Sequence, residues 1–244
     1  MKLKLTKTFL SKRPRGKSFL VAFASLLILL LFFGEGRENL SANGYLVFQK
    51  KEYWKAFTTT FLHADLTHLA HNAFFFAGLA GLLHNYFGFL VFPVLSLIVG
   101  GLINLVALSI YPPEVHLVGV SGVIYFMASF WLTLYLLIER RQKLIVRVVH
   151  AIAVSLIFFF PQVFEQKTSY LAHGLGFLFG VPLGLLYYFL NRRKIRSFDE
   201  WTEINKDEEY EDTIELDASS YHLVKPEDSS PSGPSSDSSQ CRQH

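Results

Sequence analysis

Apolar stretches of membrane-crossing length alternate along this chain with short polar connections. They run from Phe19 to Phe33, Thr67 to Phe87, Phe89 to Tyr111, Ser121 to Ile138, Val146 to Phe160 and Tyr170 to Leu190. A helix needs about 20 apolar residues to cross a hydrocarbon core of about 30 Å. The pattern therefore predicts six spans, with the slightly short first one resting its flanks in the interface. The punctuation between them fits. Asn85 to Gly88 makes a tight connection, and Tyr111-Pro112-Pro113-Glu114 stops the third span because consecutive prolines cannot continue a helix. Glu139-Arg140-Arg141 ends the fourth, Pro161 the fifth and Asn191-Arg192-Arg193-Lys194 the sixth. The predicted fold class is an all-α membrane protein, a bundle of six transmembrane helices.

Three regions follow from the composition: a basic N-terminus over residues 1–17, the six-span unit over 18–196, and an acidic, Ser/Pro-rich tail over 197–244. Hydrophobic residues make up 51% of the 244, high for a soluble domain and ordinary for a polytopic membrane protein with polar ends. The basic start followed by an apolar run resembles a signal peptide, but no small-residue cleavage site follows, so the segment reads as a retained span. The tail cannot bury enough apolar surface to offset its ordering entropy and is expected to be disordered. The single cysteine, Cys241, excludes an intramolecular disulfide.

The net charge of +3 conceals three basic clusters: residues 2–17, Arg140 to Arg147, and Arg192 to Arg196. With six spans all three fall on one side, and the positive-inside rule puts both termini in the cytoplasm. Ser121 and His173 then both start at outward-facing helix ends. Between the first two spans, Gly34 to about Leu66 is too long for a simple turn. Its aromatics (Phe48, Tyr53, Trp54, Phe57, Phe61) and lysines (Lys50, Lys51, Lys55) suggest an amphipathic element in the headgroup region, or else a solvated loop with scattered aromatics.

Polar groups inside apolar spans are costly and mark function by default. Ser121 sits in Gly119-Val120-Ser121-Gly122 at the start of the fourth span, and His173 opens the sixth. A serine and a histidine so placed are the minimum kit for a nucleophile activated by a general base. Gly176, Gly180 and Gly184 form a small-residue stripe on the histidine's face, which would let the two helices approach closely enough for a serine–histidine hydrogen bond. A plain packing seam with a satisfied histidine fits the same spacing. His68 and Asn72 share one face at the outer end of the second span. With the Ser121 N–H they could donate to an oxygen that becomes negative during acyl transfer. His63 and His71 lie close by, but H-E-x-x-H is absent and no intramembrane carboxylate completes a ligand set, so no metal is expected. His84, His116 and His150 have no motif context and read as peripheral.

On these residues the chain resembles the rhomboid intramembrane serine proteases. It carries G-x-S-G as Gly119 to Gly122, H-x-x-G-x-x-x-G as His173, Gly176 and Gly180, and H-x-x-x-N as His68 and Asn72, in order, over roughly Trp54 to Leu190. The resemblance implies a Ser121–His173 dyad, oxyanion support from His68, Asn72 and the Gly119 turn, and a Tyr125 ring stacked on the histidine. It also implies a loop-structuring role for His63. Trp54-Lys55 stands where the family has Trp-Arg, keeping the charge but not the planar fork.

The expected function is therefore a cofactor-independent serine endopeptidase acting on single-span membrane-protein substrates. Its other partner is the lipid bilayer, with no nucleic-acid role, and a prokaryotic cell membrane is the expected location. The alternative is a catalytically silent relative that binds membrane proteins without cutting them. A six-span transporter would carry ionisable groups along a path through the bilayer, whereas here they gather at one end.

Overall fold

A computed structural model describes residues 2–11, 16–159 and 169–204. They form two compact units: Leu5–Trp201, which holds every helix described here, and a small one of residues 2–4 and 202–204. Four helices are long and apolar enough to cross a membrane: α3 (Leu66–Phe87), Leu90–Ile110, α5 (Ser121–Ile138) and α7 (Tyr170–Arg196). Two apolar helices are shorter, α1 (Ser18–Leu31) and α6 (Leu144–Phe159). The fold is all-α and of the membrane class. The fifth span's end at Phe160 and Pro161, and most of the tail, lie outside the described residues.

The third apolar stretch is not one continuous helix. A helical stretch, Leu90–Leu95, precedes α4 (Ser96–Ile110), and Phe92 within it has extended backbone, φ −131° and ψ 126°. Pro93 explains the break, since a proline pushes its predecessor out of the helical region. The Ser96 hydroxyl donates to the Val91 carbonyl across it, at 2.9 Å. At the other end of the chain, α7 runs past its apolar stretch to Arg196, because the basic residues that follow remain good helix formers.

α5 is the centre of the large unit and packs on α3, α4, α6 and α7. Of its length 72% is buried, against 28% of the apolar part of α7. The glycine stripe explains how α7 lies against it. A Cβ on Gly176 would fall 2.9 Å from the Tyr125 Cβ and 3.1 Å from the Phe126 nitrogen, and one on Gly184 would fall 3.0 Å from the Thr133 Cβ. One on Gly180 would strike the Ser129 hydroxyl and the Phe126 carbonyl. α1 meets α3 in a similar way, with Gly81 facing the Ser18 carbonyl and Ala22.

Thr8, Phe9, Phe198 and Asp199 gather at the end of α5 farthest from Ser121. Glu139 is buried there and accepts from Arg141 at 2.6 and 2.8 Å and from the Thr8 hydroxyl at 3.5 Å. Arg140 pairs with Asp199, and Phe9 stacks on Phe87 and meets Phe198 edge-on. Strands β1 (Lys2–Lys7) and β2 (Glu200–Ile204) pair as a two-stranded sheet, with Lys7 and Glu200 in an ion pair at 2.8 Å. The first residues of the stretch read as tail are thus ordered structure.

The long loop after α1 is built rather than draped. It holds a helical turn at Tyr45–Gln49, the short α2 (Lys55–Thr58) and a further turn at Thr59–Phe61. Tyr45, Tyr53, Trp54 and Phe57 stay exposed while Val47, Ala56, Thr59 and Thr60 are buried, which is the amphipathic pattern. Lys55 is buried too, paired with Glu52 at 2.8 Å and lying 5.5 Å from the Trp54 ring centre. Asn104 of α4 donates to the Ala56 carbonyl at 2.8 Å and to the Thr60 hydroxyl at 2.9 Å.

The α5–α7 seam makes a direct prediction. Gly180→Val has no room against Ser129 and the Phe126 carbonyl, and should cost about 3 kcal/mol or more in reversible unfolding in detergent. Gly174→Ala, whose Cβ would meet nothing within 4 Å, should stay within about 0.5 kcal/mol of wild type.

Candidate active site

A cavity of about 690 Å³ opens at the end of the bundle where α3, α5 and α7 begin. Ser121, His173, His68 and Asn72, expected to work together, all line it, as do His71 and Gly119. Ser121 is the first residue of α5, so its N–H has no acceptor within the helix. The side chains of Ser121 and His173 are 8% and 5% exposed, buried groups on a shared space.

His173 is held by its ring face. Tyr125, one turn below Ser121, stacks on it with ring centres 4.0 Å apart and planes 14° off parallel. The Nε2 of His173 is buried and makes no hydrogen bond. The bond to Ser121 that the glycine stripe would permit is therefore not formed in this structure. Catalytic hydrogen bonds are commonly long before substrate is bound and tighten in the complex.

Asp65 starts α3, its carboxylate accepting the His68 N–H at 2.8 Å. This cap sets His68 one turn, and Asn72 two turns, into the helix on the cavity side. Asn72 is 1% exposed, and its Nδ2 is a buried donor without an acceptor. A buried amide left unsatisfied costs about 1–3 kcal/mol, so the group is either strained or waiting for an oxygen.

Gly119 gives these groups their room. Its φ is +112°, a conformation that disfavours side chains. A Cβ there would lie 2.9 Å from the His68 Cε1, 3.1 Å from its Nε2 and 3.6 Å from the Asn72 Nδ2. The turn is held from outside by Thr59, which is fully buried. The Gly119 N–H donates to the Thr59 carbonyl at 3.2 Å, and the Thr59 hydroxyl donates to the Leu117 carbonyl. The Gly119 N–H is thus already spent, and Ser121 supplies the free main-chain donor.

His63 does not line the cavity but stands behind His68, ring centres 5.1 Å apart and edge to face. Its Nδ1 lies 3.2 Å from the Phe61 carbonyl. Burial first, and then the neighbouring His68, push its pKa down to about 4. It is therefore neutral near pH 7 and suited to bracing the loop. Among the described residues no group of three or more His, Cys, Asp or Glu side chains is gathered as a metal would need.

His84 and His150 lie away from the cavity, bonded to the Phe92 carbonyl and to the Tyr135 hydroxyl. His116 departs from the peripheral reading. It lines the cavity, with its Nδ1 2.9 Å from the Ser41 hydroxyl and its Nε2 3.0 Å from the Asn43 amide nitrogen. No local pattern could have revealed contacts more than seventy residues apart. Tyr111 and Ser169 also line the cavity and were not singled out either, although a serine just ahead of an apolar helix is a readable capping signal.

The fit of Gly119 is testable without any assay of function. Gly119→Ala should lose about 1–3 kcal/mol of stability through the strained φ and the clash. It should also displace the His68 ring resonances in NMR, while Gly78→Ala, facing open space, changes neither.

A search among curated proteins found no match. The family model for the Rhomboid domain does match, over residues 50–189, a segment that holds the serine turn, the histidine helix and the α3 donors. That match covers more than half of the chain, and the chain belongs to the rhomboid family of integral membrane proteins.

Proposed function

We propose that the protein is an intramembrane serine endopeptidase that cleaves the transmembrane segments of other membrane proteins. The observation that carries this is the sharing of one cavity by four buried or half-buried groups. They are a serine at a helix start, a histidine stacked on Tyr125 with a free Nε2, and two side-chain donors on α3. Rhomboid-family proteins are in general serine intramembrane proteases, which agrees with this set.

In the proposed reaction the Ser121 Oγ attacks a peptide carbonyl while the His173 Nε2 takes its proton. The carbonyl oxygen becomes negative and is met by the Asn72 Nδ2, by His68 and by the Ser121 N–H. Collapse of the intermediate breaks the C–N bond, and His173 returns the proton to the leaving amine. Water, deprotonated by His173, then releases the acyl group from Ser121. Asp65, the acidic residue among the described cavity lining, caps α3 through the His68 N–H, and in this reading Tyr125 does for His173 by stacking what a carboxylate does by hydrogen bonding. The same reading takes six spans, both termini in the cytoplasm and the cavity facing outward, since α5 and α7 start at the cavity and run to the basic residues Arg140 and Arg141 and to the Arg192 to Arg196 cluster.

Orientation is checked by reporter fusions. Those placed after Arg141 and after Lys194 should score cytoplasmic and one after Pro112 outside; an outside score at Lys194 removes the six-span arrangement.

Catalysis is checked by substitution. Ser121→Ala and His173→Ala should each lower cleavage of a transmembrane substrate by about a thousandfold or more, and the double variant should be scarcely worse. Asn72→Ala should cost about a hundredfold to a thousandfold, as removal of one oxyanion donor does. A fluorophosphonate should label wild type at Ser121 and spare Ser121→Ala. Cleavage by Ser121→Ala at the wild-type rate would leave the binding-only reading in its place.

A further inference from the structure

The histidine helix has a polar link to the end of α4. Tyr111 is the residue at which α4 stops, its N–H still bonded to the Ala107 carbonyl at 3.0 Å. Its hydroxyl lies 2.9 Å from the Ser169 hydroxyl, across fifty-eight residues of chain. Ser169 is the N-cap of α7, and its Oγ accepts the Ala172 N–H at 3.2 Å. The Ser169 carbonyl accepts the His173 N–H at 3.1 Å. Ser169 thus bonds the main chain of both Ala172 and His173, and Tyr111 bonds Ser169.

From this geometry we infer that Tyr111 and Ser169 are positioning residues for the proposed base, fixing His173 through its main chain. The inference rests on the protease reading above. A serine protease usually fixes its histidine through the ring, by a carboxylate on the far nitrogen. Here the ring is held by stacking on Tyr125, and stacking by itself does not resist sliding within the ring plane. The first turn of α7 decides where that plane sits. Helix termini fray unless their free N–H groups are capped, and a hydroxyl held by a second helix is a stiffer cap than one free to rotate. Both residues line the cavity, and the Tyr111 ring packs with Leu171 against the cluster of Ala42, Val47, Ala107, Leu108 and Leu117. Tyr111→Phe therefore deletes the hydrogen bond while keeping the ring's packing.

The test is a coupled set of variants assayed on a transmembrane substrate. Ser169→Ala should lower kcat by about tenfold and Tyr111→Phe by about fivefold, with KM within about twofold of wild type, because misplacing a catalytic group costs rate rather than binding. The double variant should match Ser169→Ala, since Tyr111 acts only through Ser169. Ser169→Thr, which keeps the hydroxyl, should recover most of the rate. Wild-type kcat in Ser169→Ala, losses that multiply in the double variant, or no rescue by threonine would each overturn the inference. Amide exchange at Ala172 and His173 reads the link without any assay of cleavage. It should quicken by about tenfold in both single variants, and unchanged exchange would also overturn the inference. If wild type showed no Ser121-dependent cleavage, the protease reading alone would fall, and the exchange rates would still decide whether Tyr111 and Ser169 hold the turn that carries His173.

Discussion

Everything about the cavity depends on how closely α7 can lie against α5. Three glycines on one face of α7 remove the side chains that would otherwise hold the backbones apart, and the Phe126 and Phe130 carbonyls fill the space. In lipid the apolar effect gives little reason for two helices to associate, so close van der Waals contact has to do so. That contact also sets the separation of Tyr125 from His173, because both rings stand one turn or less from the seam. A stack with ring centres 4.0 Å apart is possible only where the helices almost touch. Packing and chemistry are one constraint at this seam.

The two ends of the bundle use polarity differently. At the cavity end several buried polar atoms lack partners: the His173 Nε2, the Asn72 Nδ2 and the His63 Nε2. At the opposite end charged side chains pair, Arg141 with Glu139 and Arg140 with Asp199, although the Arg147 Nε there is buried without a partner. Unsatisfied groups are costly and persist where something outside the chain can complete them, whereas matched ions are fasteners. On the proposed reading the cavity end works and the ion-paired end holds.

Much of this was legible in the sequence, for reasons that can be named. The long spans were visible because lipid demands length and apolarity. The seam was visible because glycines four apart must share a face, and Ser121, His173, His68 and Asn72 stood out as polar groups where polarity is expensive. What escaped depends on residues far apart in the chain. His116 finds Ser41 and Asn43, Tyr111 finds Ser169, and Thr6 bonds the Glu200 carbonyl across 194 residues, none of which leaves a local period. Phe92 escaped for a different reason. Pro93 was visible, but a break inside an unbroken apolar run does not interrupt its hydropathy. Lys55 shows the limit of residue-by-residue comparison, since a lysine in the arginine's place is still buried and paired, with Glu52.

Thr59 joins two parts of the chain that could have moved separately. Its carbonyl holds the Gly119 N–H, its hydroxyl holds the Leu117 carbonyl, and the aromatics of the same loop stand exposed around it. Exposed aromatic rings settle at the level of the lipid headgroups. The loop is then a float and the Gly119 turn hangs from it on two short tethers. On the proposed membrane orientation, the depth of Ser121 is thereby referred to the water surface rather than to the middle of the membrane. In that orientation a thicker or thinner membrane would leave that distance unchanged and shift the far end of the bundle instead.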